Sequence, residues 1–280
     1  MKLIECPRDA MQGLTHFVPT DLKIRYLNAL LRVGFDTLDF GSFVSPKAVP
    51  QLRDTAEVLA GLDLSQTKTK LLAIVANRRG AEQAVSFQQI NYLGFPLSVS
   101  ETFQQRNTNK SIAEALVEVT QMQQLCADTG KQLVAYLSMG FGNPYGDPYS
   151  PDLVADYTDR LVQLGIGIVV PSDTVGTSTP DAIEDLFSRL LSQFPDVEFG
   201  AHLHALPGET PAKVRAVLRA GVLRIDGALR GFGGCPMATD SLTGNLPTEE
   251  IIQTLVQESV ALSIDPEQFQ KAMTLSAGVF

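Results

Sequence analysis

The sequence predicts an α/β fold, a single (β/α)8 barrel, on three observations. One unit repeats along the 280-residue chain: a short apolar run, a polar or glycine-rich loop, then an amphipathic helix. Eight such units fit, with no linker or low-complexity break between them. An open doubly wound sheet is the alternative, but it usually carries a glycine-rich dinucleotide loop after its first strand, and Pro7-Arg8-Asp9 is not one.

The first strand is read at residues 2–6, followed by a loop at 7–17. Thr20 or Asp21 can cap a helix running to about Val33, with Leu22, Tyr26, Leu27, Leu30 and Leu31 at helical spacing, and Gly34 ends it. Residues 37–40 form the second strand, and Ser45-Pro46 opens the next helix. The third strand is 70–75, with a short helix at 80–86, and the fourth is 89–95. A long helix follows at 111–128, where Ser111 and Glu114 have capping-box spacing. The fifth strand is 132–138, and Ser150-Pro151 starts a helix ending near Gly165. The sixth strand is 166–170, and Thr179-Pro180 starts a helix to about Gln193. The seventh strand is 197–202, with a helix from Thr210-Pro211 to Ala220, and the eighth strand is 222–226. An extended loop at 227–247 leads to a closing helix at 248–262, in a C-terminal helical extension. The whole chain, 1–280, is read as one catalytic barrel domain.

Composition narrows the partners. The chain has 31 acidic and 22 basic side chains, so its net charge of −9 argues against nucleic acid, which needs a basic face. No apolar run reaches the length of a membrane span, and the strand pattern at residues 2–6 leaves no room for a signal peptide. Three cysteines, Cys6, Cys126 and Cys235, make neither a disulfide framework nor a CxxC pair, so a reduced, cytoplasmic compartment is expected.

In a barrel the chemistry lies at the C-terminal strand ends. His202 and His204 end the seventh strand, and their i, i+2 spacing points both imidazoles to one face, where they could bind one transition-metal ion. Arg8 and Asp9 follow the first strand, Asp39 ends the second and Asp173 follows the sixth. Asn245 and Cys235 lie in the last loop. Each has an ordinary explanation: Asp9 could cap a turn, Arg8 could be a surface cation, Asp173 could cap a helix, Asn245 could sit in a turn. Asp39 is harder to explain that way, because an unpaired carboxylate facing a barrel interior is costly. Their placement at one rim points to a site.

These residues also carry a resemblance. The chain resembles the 3-hydroxy-3-methylglutaryl-CoA lyases, within the metal-dependent barrels that include isopropylmalate and homocitrate synthases. The matching pieces are Pro7-Arg8-Asp9 with Gln12, Ser42-Phe43-Val44-Ser45-Pro46-Lys47 with Val49-Pro50-Gln51, and Ser100-Glu101 with Phe103 and Asn107. Asp173-Thr174-Val175-Gly176, His202-Leu203-His204, Gly233-Gly234-Cys235-Pro236 and Gly244-Asn245-Leu246-Pro247-Thr248-Glu249 continue it in order. The Ser-Phe-Val-Ser-Pro-Lys and Gly-Gly-Cys-Pro runs favour the lyases over the synthases. The resemblance implies a retro-Claisen cleavage of the acyl-CoA to acetoacetate and acetyl-CoA, and a homodimer. It implies Asp9, His202, His204 and Asn245 as ligands to a divalent metal, Mg²⁺ or Mn²⁺ in a substrate-chelating role, with Zn²⁺ possible. Arg8 would stabilise the enolate, with Gln12 and Thr174 also at the substrate. Asp39 and Asp173 are both candidates for the base, and Cys235 would donate the final proton.

The chain departs from the pattern in four places. Ala10 stands where the lyases have glycine after Arg-Asp, so a backbone needing positive φ would be strained there. Only Cys6 and Pro7 separate Glu5 from Arg8, one residue fewer than usual, and Ser172 replaces a glycine. Ala205-Leu206-Pro207 replaces the usual Asp-Thr-Tyr after the histidine pair, removing a polar shell beside the metal. Two other readings therefore stand: a condensing synthase or aldolase acting on a 2-oxo acid, and an impaired barrel retained for binding.

Overall fold

The computed structural model describes residues 1–234 and 243–280. Its first half runs β1 (Lys2–Glu5), α1 (Pro7–Gln12), α2 (Thr20–Leu31), β2 (Thr37–Ser42), α3 (Thr55–Ala60), β3 (Lys70–Ile74), α4 (Arg78–Val85), β4 (Ile90–Ser98), α5 (Glu101–Thr108) and α6 (Ile112–Asp128). The second half runs β5 (Gln132–Ser138), α7 (Pro151–Gln163), β6 (Ile168–Asp173), α8 (Pro180–Gln193), β7 (Glu198–Phe199), β8 (His202–Ala205), α9 (Thr210–Arg219), β9 (Arg224–Gly227), β10 (Gly244–Asn245), α10 (Thr248–Gln257) and α11 (Pro266–Ser276).

The strands pair in parallel in the order β9-β1-β2-β3-β4-β5-β6-β8. Ala201 closes the ring by pairing with Ile225: its N–H donates to the Arg224 carbonyl and its carbonyl accepts from the Asp226 N–H, both at 3.0 Å. This is the expected (β/α)8 barrel. The seventh stave is one strand broken at Gly200: β7 pairs the start of β6 at Ile168–Glu198, and β8 pairs its end at Ser172–His202. Glycine is required at the break, because a Cβ there would lie 2.9 Å from Arg224 Cδ.

Alternation along the strands builds two layers. Leu72, Ile74, Tyr92, Val134, Tyr136, Ile168 and Val170 fill the inside of the barrel. A larger cluster, with Leu38, Leu71, Leu93, Leu133, Val169 and Leu203 among its members, packs the outer strand faces against the helices. The predicted caps form at three helices: Ser111 and Glu114 make a full capping box, and Ser150 and Thr179 accept from backbone N–H groups of α7 and α8.

Several boundaries differ from expectation. Residues 7–12 are α1 rather than loop, with Pro7 at the first position, where its missing N–H costs nothing. Pro19, not Thr20 or Asp21, occupies the cap of α2, while Thr20 Oγ1 donates to Asp54. Ser45-Pro46 opens only turns. Pro50 holds Val49 out of helical conformation, and the helix waits until Thr55. α5, capped by Ser100, was not anticipated. The closing helix stops at Gln257 because Ser259 takes a positive φ of 58°, and α11 follows as a separate extension. Among the described residues, no helix is long and apolar enough to cross a membrane.

Glu5 is buried at the end of β1, between strand and helix layers. Oε1 accepts from the Leu229 N–H at 2.8 Å and Oε2 lies 2.6 Å from Thr248 Oγ1. Burial pushes its carboxyl up to about 8, against the pull of those two hydrogen bonds. Between about pH 4.5 and 8 the unfolded chain has therefore lost a proton that the folded chain keeps, so Glu5 lowers stability as pH rises through that window. Glu5→Gln keeps the shape without the charge. Its stability relative to wild type should grow from pH 5 to pH 8, by up to about 1.4 kcal/mol per pH unit, and then level off. Urea unfolding at pH 5, 6.5, 8 and 9 measures this; a difference independent of pH would refute it.

Candidate active site

The short turn between β1 and α1 brings two charged side chains into the barrel mouth. Cys6 is the N-cap of α1: its N–H donates to the Gly227 carbonyl at 2.9 Å and its carbonyl accepts from Ala10 at 3.1 Å. Arg8 follows, buried. Its Nε and Nη2 grip both oxygens of Asp39, the closest at 2.6 Å. Nη1 donates to Asp9 Oδ1 at 2.9 Å and to Gln12 Oε1 at 3.0 Å. Burial works against the Arg8 charge, but Asp39 and Asp9 outweigh it and hold the guanidinium protonated. Asp9 is pushed up by burial and pulled further down by Arg8, His202 and His204, to about 2. Burial wins at Asp39, whose carboxyl rises to about 6 despite Arg8.

The two histidines face the same cavity, of about 160 Å³, as their spacing predicts. His202 Nδ1 lies 3.2 Å from Asp226 Oδ2, and His204 Nδ1 lies 3.1 Å from the Thr174 carbonyl. A carbonyl can only accept, so His204 carries its proton on Nδ1. Its Nε2 is left with a lone pair, buried and without a hydrogen-bond partner. Burial, and then the His202 charge, lower His204 to about 4, so it is neutral near pH 7. Burial alone would lower His202 too, but Asp226 and Asp9 reverse that and raise it.

Asn245 arrives by a pairing that sequence reading did not foresee. β10 lies antiparallel to β8, with Asn245 opposite His204 and Gly244 opposite Ala205. Asn245 Nδ2 donates to Asp9 Oδ2 at 2.7 Å and to the Phe232 carbonyl at 2.9 Å, so its amide nitrogen is the atom that faces Asp9. Gly233 makes this approach possible: at φ +100°, a Cβ there would lie 2.5 Å from Asn245 Nδ2 and 3.0 Å from the Asp9 carbonyl.

These residues fit a divalent cation. Asp9, His202 and His204 present donor atoms within 4.8 Å of one another. The orphaned Nε2 of His204 and the ionised carboxylate of Asp9 supply the mixed nitrogen and oxygen donors that such an ion takes. Each imidazole is oriented from behind by an acceptor, the usual arrangement of metal-binding histidines.

The other predicted residues divide. Arg8, Gln12, Asp39 and Thr174 line the cavity with the histidines. Asp173 does not, which separates the two candidate bases. Its carboxylate accepts from the Thr177 and Ser178 N–H groups, the Ser178 hydroxyl and the Lys213 ammonium, and so secures the loop that carries the Thr174 carbonyl. Cys235 lies outside the described residues. Ala10 sits inside α1, not at positive φ, so the expected strain is absent. Ser172 bonds back to the Val170 carbonyl at 3.0 Å and lines the cavity.

Residues 205–207 bring no polar side chain to the site. Ala205 is buried and Leu206 is 54% exposed, so neither offers a polar group to the site. Lys213 enters from α9 instead, itself buried. Its ammonium donates to the His204 carbonyl at 2.7 Å, Asp173 Oδ2 at 3.1 Å and the Gly176 carbonyl at 3.2 Å. Sequence reading missed Lys213 and Asp226. Asp226 was readable: like Asp39, it is a carboxylate at the end of a strand facing a barrel interior. Lys213 carried no such signal, since a lysine on an amphipathic helix reads as solvent-facing.

The chain is similar in sequence and fold to known proteins. The HMGL-like family model matches residues 3–275. Hydroxymethylglutaryl-CoA lyase YngG of Bacillus subtilis is 34% identical over 266 residues, covering 95% of this chain and 88% of its own. The crystal structure of the HMG-CoA lyase from Brucella melitensis superposes with a TM-score of 0.92 at 29% identity, covering 99% of this chain and 98% of that one. The HMG-CoA lyase from Acinetobacter baumannii, solved with coenzyme A and 3-methylmalate, gives a TM-score of 0.91 at 29% identity, with 99% and 90% covered.

Lys213 yields a prediction for stability. Lys213→Met leaves a buried Asp173 charge without its partner and should cost about 3–5 kcal/mol. Adding Asp173→Asn to that variant should recover part of the loss, because the charge is gone while an acceptor for Thr177 and Ser178 stays. Denaturant unfolding of the single and double variants measures both. Additive losses would mean that the pair is not coupled.

Proposed function

The chain belongs to the HMGL-like family, and from that premise we propose a divalent-metal-dependent carbon–carbon lyase cleaving 3-hydroxy-3-methylglutaryl-CoA to acetoacetate and acetyl-CoA. The observation that carries this reading is one cavity lined by Asp9, His202 and His204 together with the adjoining Arg8–Asp39 pair.

The cation would be held by Asp9, His202, His204 and Asn245, with Mg²⁺ or Mn²⁺ suited to this mixed nitrogen and oxygen set and Zn²⁺ an alternative. When bound, it supplies Lewis acidity that lowers the pKa of the substrate's tertiary hydroxyl. Asp39 takes that proton: it lines the cavity, and its carboxyl near 6 is a stronger base than an ordinary carboxylate while still ionised at neutral pH. The electron pair of the breaking carbon–carbon bond passes to the thioester as an enolate. Arg8 meets the charge that develops on the thioester oxygen, with Asp39, Asp9 and Gln12 fixing its plane beforehand. Gln12 and Thr174 complete the wall against the substrate. Cys235 donates the final proton to the enolate carbon. This role rests on its place in the Gly233-Gly234-Cys235-Pro236 run, whose first glycine lies against Asn245 and Asp9.

A coupled assay for acetoacetate, with Mg²⁺ or Mn²⁺ added to metal-free protein, tests the activity. No acetoacetate under any metal would leave the synthase or binding-only readings. Arg8→Lys should lower kcat about 100-fold or more while the protein stays folded, because an ammonium cannot reproduce the fork that holds Asp39 and Asp9. Near-normal turnover would remove Arg8 from the enolate role. Cys235→Ala should lower kcat about 10²–10⁴-fold with little change in Tm, and Cys126→Ala, buried on α6, should change neither. Equal rates for Cys235→Ala and wild type would exclude the thiol as the acid.

A further inference from the structure

Beside the Asp9–His202–His204 group lies a second group of metal donors, which shares His202 with it and adds Cys6 and Asp226. Cys6, His202 and Asp226 each present one donor atom, and the three atoms lie within 4.8 Å of one another. They come from three neighbouring staves: the end of β1, β8, and β9 between them. Cys6 and Asp226 are each 1% exposed, and Cys6 lines the cavity wall, so an ion that reaches the first donor set also reaches the thiol.

Asp226 supplies an independent sign of a ligand here. Oδ2 faces His202 Nδ1 at 3.2 Å, but Oδ1 is buried and has no hydrogen-bond partner. The buried Arg224 guanidinium offsets part of the Asp226 charge but makes no hydrogen bond to Oδ1, and a bound cation would supply that missing partner. One sulfur, one imidazole nitrogen and one carboxylate oxygen form a donor set typical of tetrahedral thiophilic ions, with a position open for water.

We propose that Cys6, His202 and Asp226 form a site for a thiophilic divalent cation such as Zn²⁺ or Cd²⁺, mutually exclusive with the Asp9–His202–His204 site. The exclusion follows from His202. A neutral imidazole has one lone pair. While Nδ1–H donates to Asp226, that lone pair is on Nε2. An ion between Cys6 and Asp226 takes Nδ1, and the ring proton moves to Nε2, which then cannot ligate. Cys6 gives up its thiol proton to solvent as the sulfur–metal bond forms, so one proton is released per ion bound. The site is inhibitory: filling it takes one histidine from the catalytic set.

Cd²⁺ titration tests this directly, because a thiolate–Cd²⁺ bond has a near-ultraviolet charge-transfer band. The chain has three cysteines, so in a Cys126→Ser/Cys235→Ser background Cys6 is the sole thiol. One equivalent of Cd²⁺ should saturate the band, and adding Cys6→Ser should abolish it. Cys6→Val replaces the serine variant if that one does not fold. Mn²⁺, followed by electron paramagnetic resonance on the same samples, should be released by Cd²⁺ from the Cys6-containing protein. The Cys6 variants should need at least about tenfold more Cd²⁺ for the same release. No band, or a band that survives loss of Cys6, overturns the site. Mn²⁺ release at equal Cd²⁺ with and without Cys6 overturns the exclusion. The band reports this site whether or not the lyase reading holds, so the two can fail separately.

Discussion

The barrel mouth is organised by one constraint: a guanidinium buried away from water. Arg8 cannot shed its proton to escape the cost of burial, so anions must meet it. Asp39 does so with both oxygens, and Asp9 with one. Two carboxylates against one cation leave a local excess of negative charge. The neutral His204 beside them adds a lone pair and no positive charge. The pair that fixes Arg8 for catalysis therefore also makes the neighbouring space attractive to a divalent cation. Binding and catalysis share one electrostatic arrangement.

Around that centre distant parts of the chain hold the site together. The stretch after the histidine pair carries no polar group to the site, yet the His204 carbonyl and the 174–178 loop are both held, by an ammonium arriving from α9. Asp173 joins the same knot through its contacts to Thr177, Ser178 and Lys213. A carboxylate with that many partners is a brace, and of the two candidate bases this leaves Asp39 in the cavity wall.

What could be read from the sequence followed periodicity. Strands, helices and three of the caps were legible because alternation and capping are local patterns, and the rim residues were legible because strand ends collect chemistry. The failures were non-local. α1 looked like loop because its six residues are too few to show a helical stripe. β10 is two residues long and exists only because β8 leaves an edge open beside it. Lys213 looks solvated in sequence and is buried by loops distant along the chain. Whether Asp39 or Asp173 faces the cavity depends on where each side chain finds its partners, and spacing does not encode that.

The antiparallel pairing of β10 with β8 has a consequence for how the protein comes to be. The proposed donor set runs from residue 9 to residue 245, so no fragment lacking either end can assemble it. Closing a loop of that length is among the most entropically demanding contacts a chain makes, and such contacts tend to form late. A growing chain can build most of its staves while still unable to hold an ion in this arrangement. Capture of the ion is thus tied to completion of the ring, and its binding energy goes to the finished barrel rather than to partly folded forms.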